Sequence, residues 1–572
     1  MPSEQSRLAS RNMHERNLLA LIVVVALAWS SPLGAQPKSL SQPVGNERWA
    51  AGSYHLVRWN SIELGERAPL RIDLSVDGGR SWSRIKSPLV DAANGSFRWK
   101  TPNTPAKKCF LRVVNTRSNV SIQNASPFSI IPSQEVDNYQ WTQVLKKTPY
   151  APRDGAGILS FQNHIYLLGG WNPHDKHYFP RICNNEVWRS ADGERWDLVK
   201  PNTFLDGSFD ARADWEGRHT GGYAVHDGKM WLIGGDVNQG HYQNDVWNSR
   251  DGVQWTQTNP DTPVPWGPRA LHYTVAFQDK IWVLGGQTMP AFAESEEQFY
   301  RDIWTTRDGK TWRQVSPREP YWSARGMISG SVAFKGRLWI LGGGTYDTPT
   351  TKTRQYLNDV WSTSDGVTWT KHTADAPWQP RQYHHVAVYD NRMWVIGGYH
   401  AGDINDVWYS SDGENWYSVF GTPWQRRHAT SVVAHRGRLW LTLGSCMKPD
   451  LWSLKRSDDP AYRSPKEPHP VSLVAIKLDG LAERRVHLFD PQNPGGSPRG
   501  FTVAPSNGIN VLIYSSAFGL NYLDDAGRNA YAEMQITSER EVEFVKWRDG
   551  GQQNKISVDN STRPPQIKIA GQ

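Results

Sequence analysis

SARGMISGSVAFKGRLWILGG at residues 323–343, then a polar loop, then LNDVWSTSDGVTWTKH at 357–372: this stretch decides the fold, because its order recurs along residues 139–455. A run of alternating small and apolar residues comes first. A second apolar run ends in a glycine pair: Gly169–Gly170, Gly234–Gly235, Gly285–Gly286, Gly342–Gly343 and Gly397–Gly398, with Leu443–Gly444 in the sixth copy. A tryptophan follows each, at Trp188, Trp247, Trp304, Trp361, Trp408 and Trp452. Five copies add an Asp-Gly turn and a second tryptophan, at Trp196, Trp255, Trp312, Trp369 and Trp416. Each unit reads as four short strands, with Asp-Gly closing a tight hairpin before the last. One such sheet cannot cover its own faces. Stacking several around an axis buries both faces and protects the strand edges.

The sixth unit lacks a fourth strand, since no second tryptophan follows Trp452 at the right distance. The missing piece lies upstream. Tyr139-Gln-Trp141-Thr-Gln-Val144 looks like Trp255-Thr-Gln-Thr and Trp312-Arg-Gln-Val. An N-terminal strand is therefore expected to complete blade six and close the ring, leaving no free edge. The expected fold class is all-β: a six-bladed propeller over 139–455, flanked by other β domains. The glycine pair, the spaced aromatic and the later tryptophan resemble the kelch repeat. The blades are similar to those of kelch propellers, among them the bacterial sialic acid mutarotase-like proteins and the galactose oxidase superfamily. That resemblance implies architecture and leaves function open. The copper site of the oxidases, two tyrosines and two histidines with a Cys–Tyr cross-link, has no motif match here.

Composition agrees with a large β protein. The chain has 572 residues, 49 Gly, 37 Pro and 29 Trp, too many turn formers and indoles for a helical bundle. The net charge of +8 is spread along the whole length and no recognition motif accompanies it, so nucleic-acid binding is not expected. Residues 1–35 read as a signal peptide: Arg7, Arg11 and Arg16, the apolar run LLALIVVVALAW at 18–29, then Pro32, Gly34 and Ala35. Twelve apolar residues are too few for a standard span, so a secreted or periplasmic protein without stable membrane insertion after cleavage is expected. Residues 46–132 read as a small sandwich resembling immunoglobulin-like modules, with strands near 54–59, 70–76, 95–100 and 109–115. Within it, Ser75-Val-Asp77-Gly-Gly79-Arg-Ser81-Trp82 fits the Asp-box turn of sialidases, a structural feature. A linker at 456–470 and an accessory β domain at 471–572 complete the layout.

The candidate site comes from the repeat. Each unit begins with an aromatic-x-x-Arg: Tyr150 and Arg153, Trp215 and Arg218, Trp266 and Arg269, Trp322 and Arg325, Trp378 and Arg381, Trp424 and Arg427. Equivalent positions lie on one circle, and six arginines at a channel mouth would focus a positive potential on a carboxylate, sulfate or phosphate. Indole faces beside them suit sugar rings. The competing reading makes the arginines braces and the tryptophans inter-blade core. Positions that differ between copies mark function better. They place Asp154, Glu216, His219, His272, His384, His385 and His428 near one rim as candidates for acid–base work. No metal-ligand spacing or cofactor motif stands out, and neither is expected. Of the three cysteines, Cys183 and Cys446 fall in neighbouring blades, where a disulfide is one option. Two function classes follow. One is a binding propeller for a carbohydrate, another acidic ligand or a protein partner at the central mouth. The other is a sugar-active enzyme, mutarotase- or isomerase-like or a polysaccharide hydrolase or lyase, with rim His, Asp or Glu and an arginine anchor. The sequence leaves the choice between enzyme and binder open.

Overall fold

Six four-stranded antiparallel sheets succeed one another from residue 139 to residue 456. The computed structural model describes residues 39–465 except 66–68, 86–89, 92–94, 134, 136–137, 174–181, 205–208, 238–240, 289–296, 327, 347–353 and 401, together with strands between 474 and 570. Residues 1–35, read as a signal, lie outside the described residues. Every regular element among the described residues is a β-strand, and no helix there is long and apolar enough to cross a membrane.

The inner strands of blades one to six are 157–161, 222–226, 273–276, 331–334, 385–389 and 431–435. Each touches the next, and the sixth touches the first. The first hairpin of every blade turns through two consecutive left-handed residues, such as Asp227-Gly228 and Asp390-Asn391. That geometry matches the twist of the flanking strands. The outer hairpin is held by side chains. In blade one the Ser190 hydroxyl and the Asp192 carboxylate accept the N–H groups of Gly193, Glu194 and Arg195, and the Trp196 indole donates to Gly193 O. The same network recurs in blades two to five. In blades three and four the hydroxyl belongs to Thr306 and Thr363.

Glycine at that turn has a second reason. A Cβ on Gly193 would sit 2.1 Å from the ring of Trp440 in blade six, and one on Gly366 would sit 2.4 Å from Trp282 in blade three. Each outer turn thus lies flat on an aromatic of the preceding blade. Blade six has no such turn. There Tyr139 meets Trp394 of blade five edge-on, with centroids 4.8 Å apart. The expected closing strand is present: 139–145 pairs antiparallel with 451–456, from Tyr139 opposite Arg456 to Leu145 opposite Leu451.

Before the propeller, strands 48–50, 128–131, 106–115, 69–75 and 83–84 form one sheet, with 90–91 and 121–123 attached, and 54–58 pairs with 96–100 in a second. Trp49, Trp59, Trp99, Ile72 and Leu111 fill the space between them. At the Asp-box turn the Asp77 carboxylate accepts the N–H groups of Arg80 and Ser81, and the Ser75 hydroxyl accepts that of Gly79. This sandwich docks on blade five. The Tyr54 N–H donates to Trp416 O at 2.7 Å, the Ala50 N–H donates to Asn415 Oδ1 at 2.6 Å, and Arg58 pairs with Asp375. Beyond the propeller, a seven-stranded antiparallel sheet runs in the order 499–503, 484–489, 517–523, 529–536, 541–548, 555–559, 566–570.

Candidate functional site

The six arginines do not face a ligand. Each is at most 2% exposed. Arg269 gives two nitrogens to Asp302 at 2.6 and 3.0 Å, and Arg427 gives two to Asp450 at 2.8 and 2.9 Å. Arg218 pairs likewise with Asp245, Arg325 with Asp359 and Arg381 with Asp406, while Arg153 uses Glu186. The Nη1 of each also bonds a carbonyl at the end of the second strand, such as Gly285 O for Arg269 and Leu443 O for Arg427. The same carboxylates accept the indole N–H two residues on, from Trp188, Trp247, Trp304, Trp361, Trp408 and Trp452. Donor capacity expected at the mouth is consumed inside the blade, and the acidic-ligand role expected of these arginines is corrected on that ground. Their carboxylate partners stand two residues before each repeated tryptophan, a spacing that the repeat itself displays.

The leading aromatics are corrected for the same reason. Trp215, Trp266, Trp322, Trp378 and Trp424 are at most 2% exposed, as is Tyr150. They pack edge-on against the outer-strand tryptophans Trp255, Trp312, Trp369, Trp416 and Trp141, and Tyr150 does so against Trp196. They lie within the blades, between the outer strand and the axis. Cys183 and Cys446 are free thiols. Cys183 faces blade two, with Sγ 3.4 Å from His219 Nδ1, rather than blade six.

The mouth is defined by backbone. The residue two after each arginine is left-handed at Gly155, Thr220, Leu271, Tyr383 and Ala429. These positions join in a belt of N–H···O=C bonds around the axis: Thr220 to Gly155, Leu271 to Thr220, Ile328 to Leu271, Ala429 to Tyr383 and Gly155 to Ala429. Blade four has one extra residue, because Ser331, six after Arg325, pairs with Ile340 where Val386, five after Arg381, pairs with Val395. Ile328 and Ser329 absorb it with φ of 36° and 50°, and the next link of the belt becomes Val386 to Ser329.

Above the belt, the residue after each arginine pairs with the start of the loop between strands two and three: Asp154 with Trp171, His219 with Asp236, Gln382 with Tyr399. The long loops and the mouth therefore share one face. Three candidates meet there: Asp154, His219 and His428. Asp154 is 7% exposed, and burial lifts its carboxyl above the usual range, opposed by the charges of His219 and His428. His219 stacks on Trp171 at 6.0 Å. His428 is the most constrained. Its Nδ1 lies 2.6 Å from Asp403 Oδ1, the Ser445 hydroxyl donates to Asp403 Oδ2 at 2.7 Å, and the His428 N–H donates to Ser445 Oγ at 2.9 Å. With its Nδ1 proton committed to Asp403, the ring has Nε2 as its remaining polar atom. Tyr383 and Tyr399 flank it at 5.2 and 5.3 Å. Tyr346 joins the same cluster, with the Arg354 guanidinium 4.1 Å over its ring. Asp403 and Ser445 carry no signal in the sequence that links them to His428; only the fold brings them together.

The other candidates sit elsewhere. Glu216 accepts from Gln243 Nε2 at 2.8 Å on blade two. His384 is sealed between blades four and five, its Nε2 2.8 Å from Leu341 O. His272 holds the equivalent position in blade three, its ring 6.2 Å from Trp266 as that of His384 is from Trp378, and with His385 it borders the axial cavity below the belt. Burial holds His272 and His384 down to about 3 and His385 to about 4, and in the sandwich it holds His55 to about 3. Unfolded, these imidazoles take up protons near 6.5; folded, they stay neutral until far lower pH. Their contribution is therefore complete well above pH 6.5 and is lost as the pH falls toward 4 for His385 and toward 3 for His272, His384 and His55. At pH 5 each is expected to cost about 1–2 kcal/mol. Guanidinium unfolding at pH 7, 6 and 5 should show the midpoint dropping at each step; a level profile would contradict neutral burial.

No family profile matches the chain. Among curated proteins, 265 residues are 27% identical to the "Kelch repeat and BTB domain-containing protein 12" of Danio rerio, covering 43% of this chain and 38% of that protein. A further match, 28% identical over 156 residues, is to the "Leucine-zipper-like transcriptional regulator 1 homolog" of Drosophila melanogaster, covering 26% of this chain and 14% of that protein. The chain thus spans well under half of either relative. The first match supports kelch repeats, in agreement with the blades described above.

Proposed function

We propose that this chain is an exported binding propeller whose rim on blades four to six takes a carbohydrate or a similar polar, ring-bearing ligand. The observation that carries the reading is the His428–Asp403–Ser445 network set between the Tyr383 and Tyr399 rings. Aromatic faces suit the C–H side of a sugar, and an oriented imidazole and a carboxylate suit its hydroxyls. With the six repeated arginines bound internally, a neutral sugar fits this rim as well as an acidic one. A protein partner is the other binding reading, favoured by the matched kelch protein and by the length of the loops on this face.

Asp403→Asn and Tyr399→Ala are expected to weaken glycan binding at least tenfold while leaving the tryptophan fluorescence of the folded ring unchanged. The measurement is a glycan array that includes uronic and sialic acids, followed by calorimetry on any hit. Equal binding by parent and both variants would remove the rim from consideration.

The sugar-active enzyme is retained as a second reading, because a histidine fixed by a carboxylate is what a general base requires. It predicts that His428→Gln lowers turnover about 10²–10⁴-fold and leaves ligand affinity nearly intact.

A further inference from the structure

Below the belt, the inner strands enclose an axial cavity of about 120 Å³ with two unlike walls. Blades two to four supply Tyr223, His272, Thr274 and Ser331. The hydroxyl oxygens of Tyr223, Thr274 and Ser331 are buried and have no hydrogen-bond partner among the described residues. The Tyr223 ring lies over Gly157, where a Cβ would come within 2.3 Å of it. The opposite wall carries glycine and hydrocarbon along blade one, Gly155, Ala156, Gly157 and Ile158, and continues through Val386 and His385 of blade five to Thr430 of blade six.

Three buried hydroxyls without partners are expensive, at roughly 1–3 kcal/mol each. Something in the cavity must bond them. Among the described residues that line it there is no Asp, Glu, Lys or Arg. Burial keeps His272 and His385 neutral at ordinary pH. The chamber therefore favours an uncharged occupant. Water alone would serve the hydroxyl wall but would also be pressed against Ile158 and Val386, where it finds nothing to bond. A molecule with hydroxyls along one edge and C–H groups along the other satisfies both walls.

We propose that the axis of the propeller is a binding site for a small uncharged polyol of three or four carbons, its hydroxyls on Tyr223, Thr274 and Ser331 and its carbon chain on Ile158 and Val386. The site is separate from the rim and stands whether or not the rim binds a glycan. So few atoms imply millimolar affinity. The test uses the full chain in polyol-free buffer, with glycerol and erythritol as probes. Saturation-transfer NMR should show saturable binding, weakened at least tenfold in the Thr274→Val/Ser331→Ala double variant. Polyols also stabilise proteins by exclusion from their surface, so the melting shift attributable to the site is the parent's shift minus the variant's. Should the double variant fold poorly, Ser331→Ala alone gives the same comparison at about a threefold loss. Non-saturable signal in the parent, equal affinity in parent and variant, or a crystal soaked in glycerol that shows only water on the axis would each overturn the proposal.

Discussion

Replacing Arg381 by methionine is expected to lower the unfolding free energy by about 3–5 kcal/mol, although the residue touches no ligand. The guanidinium is fully buried and bonds Gln379 O, Gly397 O and both oxygens of Asp406. Its loss leaves Asp406 with the Trp408 indole as its side-chain donor and strips two carbonyls of their partner. A carboxylate left without its cation in a dry setting is the expensive outcome, more so than the absence of the pair itself. The Asp406 side chain is 24% exposed, so the lower half of that range applies. Arg301 supplies the contrast. It pairs with Glu319 at 3.0 Å, but the partners are 38% and 68% exposed, and Arg301→Met is expected to cost at most about 1 kcal/mol. Urea unfolding followed by tryptophan fluorescence compares the two. Equal midpoints for Arg381→Met and Arg301→Met would refute the bracing role.

A still larger loss is expected when the strand 139–145 is removed. That strand is the outer edge of blade six, pairs along 451–456, and sets Trp141 against Trp424 and Tyr139 against Trp394. Without it, blade six exposes an unpaired strand edge and two buried indoles lose their covering ring. A chain of residues 146–465 is expected to aggregate or to elute as an expanded species. The same chain with YQWTQVL appended after residue 465 through a short flexible linker restores the missing edge from the other end and is expected to elute as a compact monomer. Both proteins lack the sandwich, so a difference between them belongs to the strand. Identical behaviour would mean that closure does not depend on it.

Much of the architecture was legible because it is repeated. The glycine pairs, the spaced tryptophans and the orphan Tyr139-Gln-Trp141 segment each specify backbone geometry, and geometry that recurs six times can be read by comparing a chain with itself. The direction of the arginine side chains was not legible. A circle of equivalent positions is compatible with arginines turned into the pore or into the blade, and the deciding fact, a carboxylate two residues before each tryptophan, becomes a contact only when strand three lies beside the leading loop. Cys183 misled for a related reason: membership of neighbouring blades says nothing about which neighbour a side chain faces. His428 was found by its variation between copies. Asp403 and Ser445 lie 25 and 17 residues from it and are joined to it only by the fold. The extra residue of blade four passed unseen, since one insertion within a loosely matched repeat leaves no compositional trace.

The belt around the mouth has a consequence for how such a protein diversifies. Its bonds run between main-chain amides and carbonyls, so closure at that level rests on the backbone, and the side chains it carries need only tolerate a left-handed residue and pack with their neighbours, as Leu271, Ile328, Tyr383 and Ala429 do. Gly155, Thr220, Leu271, Tyr383 and Ala429 already differ in size and polarity on one shared geometry. The crown of the propeller is therefore a socket in which recognition chemistry can be exchanged by point substitution, by natural selection or by a protein engineer, without renegotiating the joints that hold the wheel together.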